Sequence, residues 1–387
     1  MPLIKRAGQR NMKILYWTPL FWPEIGGIET ASAGLLQGLS KKNCEFMVFT
    51  SHGRKKLKDE SNYKGIPVNR FPIATALIKR DIGQIKYIIN KAIDIKDRFM
   101  PDLVHVNFGG PAPVSYMHIK TNVTAQTPYI LSLHNSVKGM DSSNDTILGE
   151  MFRSCSWITT CSESMTRDAR QVMPDISDKL STIYYGLEMP KINPAPLHFT
   201  KPHILCIGRL VEEKGFDLAL KAFSLIKDRY PKMRMTIAGD GPALPSLKEQ
   251  ALRLDIRNRI KFTGSIPRRL VPQLINQAVI VAVPSRWREA FGLVALEAAQ
   301  MGRPVIAASV GGLKEVVAHT ETGLLVEKEN PKALAKAIVY LLENREEAAQ
   351  MGLASHRKAQ GFFSLNRYVQ SYLEIYEKVV MENKRPK

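Results

Sequence analysis

The chain has 387 residues, 44% of them hydrophobic and 24% charged, with a formal net charge of +19. That length is too great for one ordinary domain and suits two, each able to bury its own core, and the balance excludes wholesale disorder. The charge sets up a positive field that favours anionic partners: nucleotide phosphates, nucleic acid or the anionic face of a membrane.

The start, MPLIKRAGQRN, is a basic, polar extension over residues 1–11 without the apolar stretch of a secretory signal. Met12 to Thr18 is the first apolar run and reads as a strand; Gly26-Gly27 interrupts, and Glu29 to Leu39 reads as a helix. Glu45 to Thr50 is the next strand. The basic run Arg54, Lys55, Lys56 and Lys58 reads as a solvated loop. From Leu77 to Arg98, Ile82, Ile85, Ile89, Ile93 and Ile95 recur at mostly helical intervals, which predicts one amphipathic helix. Leu103 to Asn107, Tyr129 to His134 and Ser156 to Thr160 are short strands, each ending in a polar residue. Residues 189–202 carry four prolines and no periodicity, so 191–201 reads as a linker. The strand-helix rhythm then restarts with HILCIG, MRMTIAG, IKFTG and VIVAVPS, and a final helix is predicted over Ser364 to Met381.

Repeated strand-helix alternation predicts a parallel sheet flanked by helices, twice over. The domains so placed are 12–190 and 202–361, followed by a terminal helical segment, 362–387. Two doubly wound domains joined by a linker are expected to bind a ligand in a central cleft at the carboxyl ends of their strands. Cys44, Cys155, Cys161 and Cys206 form neither a C-x-x-C pair nor a zinc spacing, and read as buried core residues. No apolar run is long enough to span a bilayer, so cytoplasmic residence is expected; no RNA-recognition or zinc-finger signature accompanies the charge, so nucleic acid is not expected as a partner.

Three segments carry chemistry. In Pro284 to Ala307, Glu289 precedes an Ala-Phe-Gly turn and a helix begins near Leu293. The first backbone N–H groups there, from about Phe291 to Val294, have no intrahelical partner and can receive a diphosphate. Glu297, one turn on, can accept from the vicinal hydroxyls of a ribose. In residues 206–217, Arg209 and Lys214 leave a strand end in a loop closed by Gly215, a spacing suited to gripping a diphosphate and stabilising leaving-group charge without a metal. Gly26-Gly27, between the first strand and first helix, is where backbone can approach a ligand closely. Taken alone, each has a bland reading: solvated glutamates, incidental loop charges, a simple turn.

PEIGGIE, GRLVEEKGFD, IAGDGP, FTGSIP and EAFGLVALEAAQMGRPVIAASVGGLKEVV occur in this order, and the whole from about Met12 to Tyr376 resembles the retaining family 4 glycosyltransferases (glycosyl transferases group 1) of the GT-B fold. The resemblance implies two Rossmann-like domains facing a central cleft, with the C-terminal helix crossing back to the amino-terminal domain. It also implies roles. Arg209 and Lys214 fall where the donor diphosphate binds, Glu297 on the ribose ligand, and Glu289 on the contact to the donor sugar's hydroxyls. Phe291, Gly292 and Leu293 give backbone contacts nearby, Gly27 matches the glycine-rich loop, and Ser265 and Ile266 match the base-contacting loop. His134 matches an active-site histidine near sugar and acceptor. Where the pattern usually has Asn-Gly-Val the chain has Tyr185-Gly186-Leu187; where Ala-Asp is common it has Ala278-Val279; and Arg268 and Arg269 stand where acidic residues are frequent.

The function implied is transfer of a hexose from a UDP-, GDP- or ADP-sugar to a glycan, glycolipid or small-molecule acceptor with retention, as in polysaccharide biosynthesis, with neither metal nor cofactor. The basic surface, notably Lys79, Arg80, Lys86, Lys91 and Lys96 on the amphipathic helix, adds the expectation of peripheral docking on the inner face of the plasma membrane; the bland counterpart is charge that serves only solubility and donor capture. The alternatives are an epimerase on the same scaffold, or a non-catalytic basic module for membrane or nucleic acid. An NAD enzyme would need G-x-G-x-x-G after the first strand, which Gly26-Gly27 does not supply.

Overall fold

The structure, a computed structural model, describes residues 10–24, 26–53, 57–109, 112–113, 115–117, 127–143 and 145–384. Most of the amino-terminal extension, and Arg54, Lys55 and Lys56 of the basic run, lie outside the described residues. The chain divides into two compact units: one runs up to Tyr184 and resumes from Tyr368 onward, the other is Tyr185–Arg367.

In the first unit the described strands are β1 (Met12–Thr18), β2 (Cys44–Ser51), β3 (Glu60–Tyr63), β4 (Ile66–Phe71), β5 (Leu103–Phe108), β6 (Tyr129–Leu133), β7 (Trp157–Thr160) and β8 (Leu180–Thr182). They form one sheet in the order β3-β4-β2-β1-β5-β6-β7-β8, parallel except for the β3–β4 hairpin. β5 and β6 are buried along their whole length, as strands covered on both faces must be, and so they are mostly apolar, broken only by His105, Asn107 and Ser132. β1 lies between β2 and β5, so the winding reverses at β1/β5, and the carboxyl ends of these strands flank a switch-point crevice.

The helix expected from Leu77 to Arg98 is instead two, Ile73–Lys79 and Ile82–Phe99. Arg80 takes a left-handed conformation (φ 51°) that ends the first, and the Asp81 carboxylate starts the second by accepting from the Gln84 N–H at 2.9 Å. The packing also corrects the basic face. Lys79, Arg80 and Lys86 are exposed, whereas Lys91 is half-buried and paired with Glu60 at 3.2 Å, and Lys96 is buried. Burial pushes the Lys96 ammonium below its ordinary value.

The terminal helix, Leu365–Asn383, is part of the first unit from Tyr368 on, as expected. It is tied in by buried polar contacts. Tyr376 Oη lies 2.6 Å from His105 Nδ1, and Tyr372 Oη lies 2.9 Å from Ser132 Oγ and 3.0 Å from Thr159 Oγ1. His105 Nε2 meets the same Ser132 hydroxyl at 2.6 Å, so the network joins β5, β6, β7 and the helix with its polar groups satisfied.

In the second unit β9 (His203–Ile207), β10 (Arg234–Ala238), β11 (Ile260–Phe262), β12 (Ile280–Val283), β13 (Val305–Ala308) and β14 (Gly323–Val326) form a parallel sheet in the order β11-β10-β9-β12-β13-β14. Here the reversal falls at β9/β12. Leu220, Phe223, Ile338 and Leu341 are fully buried in its core, at roughly 1.5–3 kcal/mol per large apolar side chain. The proline-rich stretch 191–201 packs on this unit: the Ala195 N–H donates to Asn276 Oδ1 at 2.8 Å, and the buried Arg303 guanidinium donates to the carbonyls of Ala195 and Ala278. All four cysteines are buried and unbridged.

Candidate active site

The second unit's site grows from the two strands at its reversal. β9 is an apolar run that leaves the sheet through Gly208 and delivers Arg209 to the surface. The guanidinium of Arg209 has no ion-pair partner among the described residues. The loop then folds tightly, with the Lys214 N–H donating to the Val211 carbonyl (3.1 Å) and the Gly215 N–H to the Glu212 carbonyl (3.0 Å). Gly215 has φ 65°, and a Cβ there would stand 2.1 Å from the Pro284 carbonyl oxygen, so only glycine lets this loop lie against the end of β12. Gly239, at the end of β10, is a second such point: φ is 135° and a Cβ would fall 1.8 Å from the Gly208 carbonyl oxygen.

From β12 the chain continues through Pro284, Ser285 and Arg286. The Arg286 N–H donates to the Glu213 carbonyl at 2.8 Å, and its guanidinium forks onto Asp217 at 2.5 and 2.6 Å. Fork-to-carboxylate geometry of this kind fixes direction as well as distance, so the two loops are registered. The consequence is that Lys214 meets Glu289: Nζ lies 2.5 Å from Oε1, and Ser285 Oγ donates to the same oxygen at 2.7 Å. An ammonium, a carboxylate and a hydroxyl are thereby gathered at one point.

Glu289 leads into the Ala-Phe-Gly turn. The Phe291 ring is buried edge-on to Tyr185 (5.3 Å) and Phe363 (5.5 Å), which leaves its backbone at the turn. Gly292 takes φ 110° and starts the helix Leu293–Gln300 with no side-chain cap. The partial positive charge of that helix start follows Glu289, the partner of Lys214, closely in sequence. Glu297 follows on the helix, 7% exposed, and its carboxylate oxygen accepts from Arg268 Nη1. Burial raises the Glu297 pKa, while the Arg268 cation opposes that rise. Ser265 is exposed and Ile266 half-buried on the loop after Gly264, which leads on to Arg268.

The first unit holds a second polar cluster, at its own reversal. His134, just past β6, is 6% exposed, and its Nε2 lies 2.8 Å from Asn107 Oδ1 at the end of β5. Asn107 Nδ2 reaches Tyr16 Oη (2.8 Å), Thr18 Oγ1 (3.1 Å) and Ser32 Oγ (3.1 Å). Burial lowers the His134 pKa to about 3, so the imidazole is neutral at physiological pH. Gly27 opens the helix Gly27–Ser40 that supplies Ser32, and is exposed.

Of the residues singled out from sequence, Arg209, Lys214, Glu289, Phe291, Gly292, Leu293, Glu297, Ser265 and Ile266 lie in the second unit, and His134 and Gly27 in the first. Sequence reading missed Ser285, Asn107 and the Arg286–Asp217 fork. Ser285 sits in the quoted Pro-Ser-Arg segment and Asn107 ends a recognised strand, but neither position shows its partner until the fold does.

The description Glycosyl transferases group 1 matches residues 190–358, and Glycosyltransferase Family 4 matches residues 25–189. The chain belongs to the family 4, group 1 glycosyltransferases. An uncharacterized glycosyltransferase of Methanocaldococcus jannaschii is 27% identical over 362 residues, covering 86% of this chain and 90% of that protein. The GDP-mannose-dependent alpha-(1-6)-phosphatidylinositol monomannoside mannosyltransferase of Mycobacterium tuberculosis is 35% identical over 160 residues, covering 40% of this chain and 42% of that protein, so the match spans about two fifths of that relative. Among solved structures, Anabaena HepE in complex with UDP and glucose is similar with a TM-score of 0.77 at 22% identity, covering 95% of this chain and 100% of that one. This likeness shows the fold: two parallel-sheet α/β units of the GT-B glycosyltransferase class.

Proposed function

We propose that this glycosyltransferase moves a hexose from a nucleoside diphosphate sugar to a hydroxyl acceptor with retention of configuration and without a metal. The observation that carries the reading is the Lys214–Glu289–Ser285 contact just before the uncapped start of Leu293–Gln300, with Arg209, which has no ion-pair partner among the described residues, on the loop that carries Lys214. Arg209, Lys214 and the N–H groups of Phe291, Gly292 and Leu293 would take the diphosphate; Glu289 would orient the sugar's hydroxyls. Glu297 would accept from the ribose and the Ser265–Ile266 loop would meet the base. Gly27 would give close backbone approach to the donor diphosphate. The relative named as GDP-mannose-dependent and the neighbour solved with UDP and glucose support a nucleoside diphosphate donor, with UDP-, GDP- and ADP-sugars as the set to test.

In the step itself the bond from the sugar's anomeric carbon to the leaving phosphate oxygen breaks, and the acceptor oxygen bonds that carbon from the same face. The acceptor's proton passes to the departing phosphate oxygen, so no separate protein base is consumed. The chain's contribution is placement and fixed positive charge where negative charge develops, which does not need reorganisation at the moment of reaction. His134, neutral, would hydrogen-bond the sugar or acceptor edge rather than act as nucleophile. Purified protein given each donor in turn tests the reading. Hydrolysis or transfer of one donor class, with the product's anomeric configuration retained by NMR, is expected; inertness toward all three classes overturns it.

A second reading concerns the acceptor. No helix of the described residues is long and apolar enough to cross a membrane. At the turn joining Ile73–Lys79 to Ile82–Phe99, however, Ile78 (83% exposed), Ile82 (68%) and Tyr87 (55%) stand among the exposed cations Lys79, Arg80 and Lys86. Apolar side chains mixed with cations match the interfacial region of an anionic leaflet. This favours peripheral docking at a cytoplasmic membrane face and a lipid-linked or glycolipid acceptor, as in polysaccharide biosynthesis.

A further inference from the structure

The contact between Arg268 and Glu297 is not explained by the donor-binding roles given so far. Glu297 is one turn into a helix, 7% exposed, in surroundings whose burial disfavours its charge. Arg268 comes from a different element, the short turn Arg268–Leu270 that follows the Gly264–Pro267 loop, and its side chain is 43% exposed. One carboxylate oxygen, Oε1, is committed to Arg268 Nη1.

A ribose diol is best held by an ionised carboxylate, which has only acceptor sites; a protonated one must turn a donor toward one of the two hydroxyls. Burial pushes Glu297 toward that poorer state, and among the described residues Arg268 is the cation in contact with it. A hydrogen-bonded cation also fixes the rotation of the carboxylate, so that the second oxygen keeps one direction. Because Arg268 is carried on the stretch just after the loop assigned to the base, the base and ribose contacts are joined through one side chain.

We infer that Arg268 is a positioning residue for donor recognition, holding Glu297 ionised and oriented to receive the ribose hydroxyls. This rests on the assignment of Glu297 to the ribose, and the test separates the two. The nucleoside diphosphate (UDP, GDP or ADP) that binds the wild-type protein most tightly is titrated calorimetrically, alongside its 2′,3′-dideoxy form, into wild type, Arg268→Ala, Arg268→Lys and Glu297→Ala. Wild type is expected to prefer the ribonucleotide, and Glu297→Ala to lose that preference. Arg268→Ala is expected to weaken the ribonucleotide about tenfold, the scale of a charge-assisted hydrogen bond, with the dideoxy form little changed, and Arg268→Lys to recover most of the loss. In turnover, Arg268→Ala raises donor KM with kcat nearly kept.

Equal weakening of both nucleotides by Arg268→Ala would place the residue on the base or the fold and overturn the inference. So would a ribose preference that survives in Arg268→Ala while Glu297→Ala abolishes it. If Glu297→Ala itself keeps the preference, the ribose assignment fails first. The dideoxy titration reports on the integrity of the remaining nucleotide contacts in every variant.

Discussion

His134 Nε2 stands 2.8 Å from Asn107 Oδ1, and this contact bears on which ring nitrogen carries the proton. The Tyr16 hydroxyl donates to Ser32 Oγ (2.8 Å) and the Thr18 hydroxyl to the Leu20 carbonyl (3.1 Å), so both accept from the Asn107 amide N–H groups. The Asn107 carbonyl oxygen is left to face His134, and it can only accept. His134 therefore carries its proton on Nε2, facing an acceptor that residues of β1 and β5 hold in place. Asn107→Leu removes the acceptor and leaves polar groups buried. It is expected to lower stability by about 1–3 kcal/mol and turnover by an order of magnitude, with histidine nitrogen NMR losing the single-tautomer signature. An unchanged tautomer and unchanged kcat in a folded variant would disprove the relay.

The same burial makes stability depend on pH with a definite sign. His134 has a pKa of about 3 when folded and an ordinary one near 6.5 when unfolded; His105 is also lowered, first by burial and then by the nearby His134. Between those values the unfolded chain binds more protons, so stability is full above the unfolded pKa and is lost as pH falls below it. Each histidine held neutral contributes a slope of about 1.4 kcal/mol per pH unit at most. Thermal unfolding should thus move to lower temperature from pH 7 to pH 5, and the wild-type decline should be shallower in His134→Gln. The kcat profile should show no limb near pH 6.5 arising from His134.

If the loop carrying Arg209 and Lys214 takes the diphosphate as proposed, removing a cation from it should act on the chemical step. Arg209→Ala and Lys214→Ala are each expected to cut kcat by about 10²–10³, the scale of a lost donor to developing charge. Lys214→Ala also takes the ammonium from Glu289 and leaves it the Ser285 hydroxyl, so Glu289→Gln in that background should cost less than it does alone, and a double-mutant cycle measures the coupling. Activity is expected to persist in EDTA; complete loss restored by magnesium or manganese would contradict the cationic reading.

Membrane docking separates by element. Co-sedimentation with vesicles containing anionic lipid is expected at low salt, falling as salt is raised through the range of Debye screening. Neutralising Lys79, Arg80 and Lys86 should remove about 1 kcal/mol each, and Ile78→Ser with Ile82→Ser should weaken binding further. Neutralising Lys91, already paired with Glu60, should matter much less. Protein that stays in the supernatant at low salt rejects the docking surface and favours a soluble acceptor.

Periodicity and turn chemistry made much of this fold legible. The apolar runs of β1, β5, β6 and β9 announce themselves because parallel strands are buried on both faces, and the helix start at Leu293 follows from the Ala-Phe-Gly turn before it. The break at Arg80 was not legible: a left-handed arginine is uncommon, and the isoleucine spacing runs on across it, although Asp81 is a good cap in retrospect. β3 and β4 form a short edge hairpin whose polar residues show no strong alternation. In the site, residues within one motif were found together, as Glu289 and Glu297 were. Contacts made across sequence distance were not: Lys214 with Glu289, Arg268 with Glu297 and Asn107 with His134 depend on strand order, and that is set by packing of the whole unit.

The return of the terminal helix to the first unit bears on how the molecule is made. During synthesis Tyr185–Arg367 is contiguous and can complete its core as soon as it emerges. The first unit cannot. Until Tyr372 and Tyr376 arrive, His105, Ser132 and Thr159 lack the tyrosine hydroxyls that complete their network in the finished sheet. The half translated first is therefore the half finished last, and a nascent chain stalled before Tyr368 should carry a protease-resistant second unit and a protease-sensitive first one.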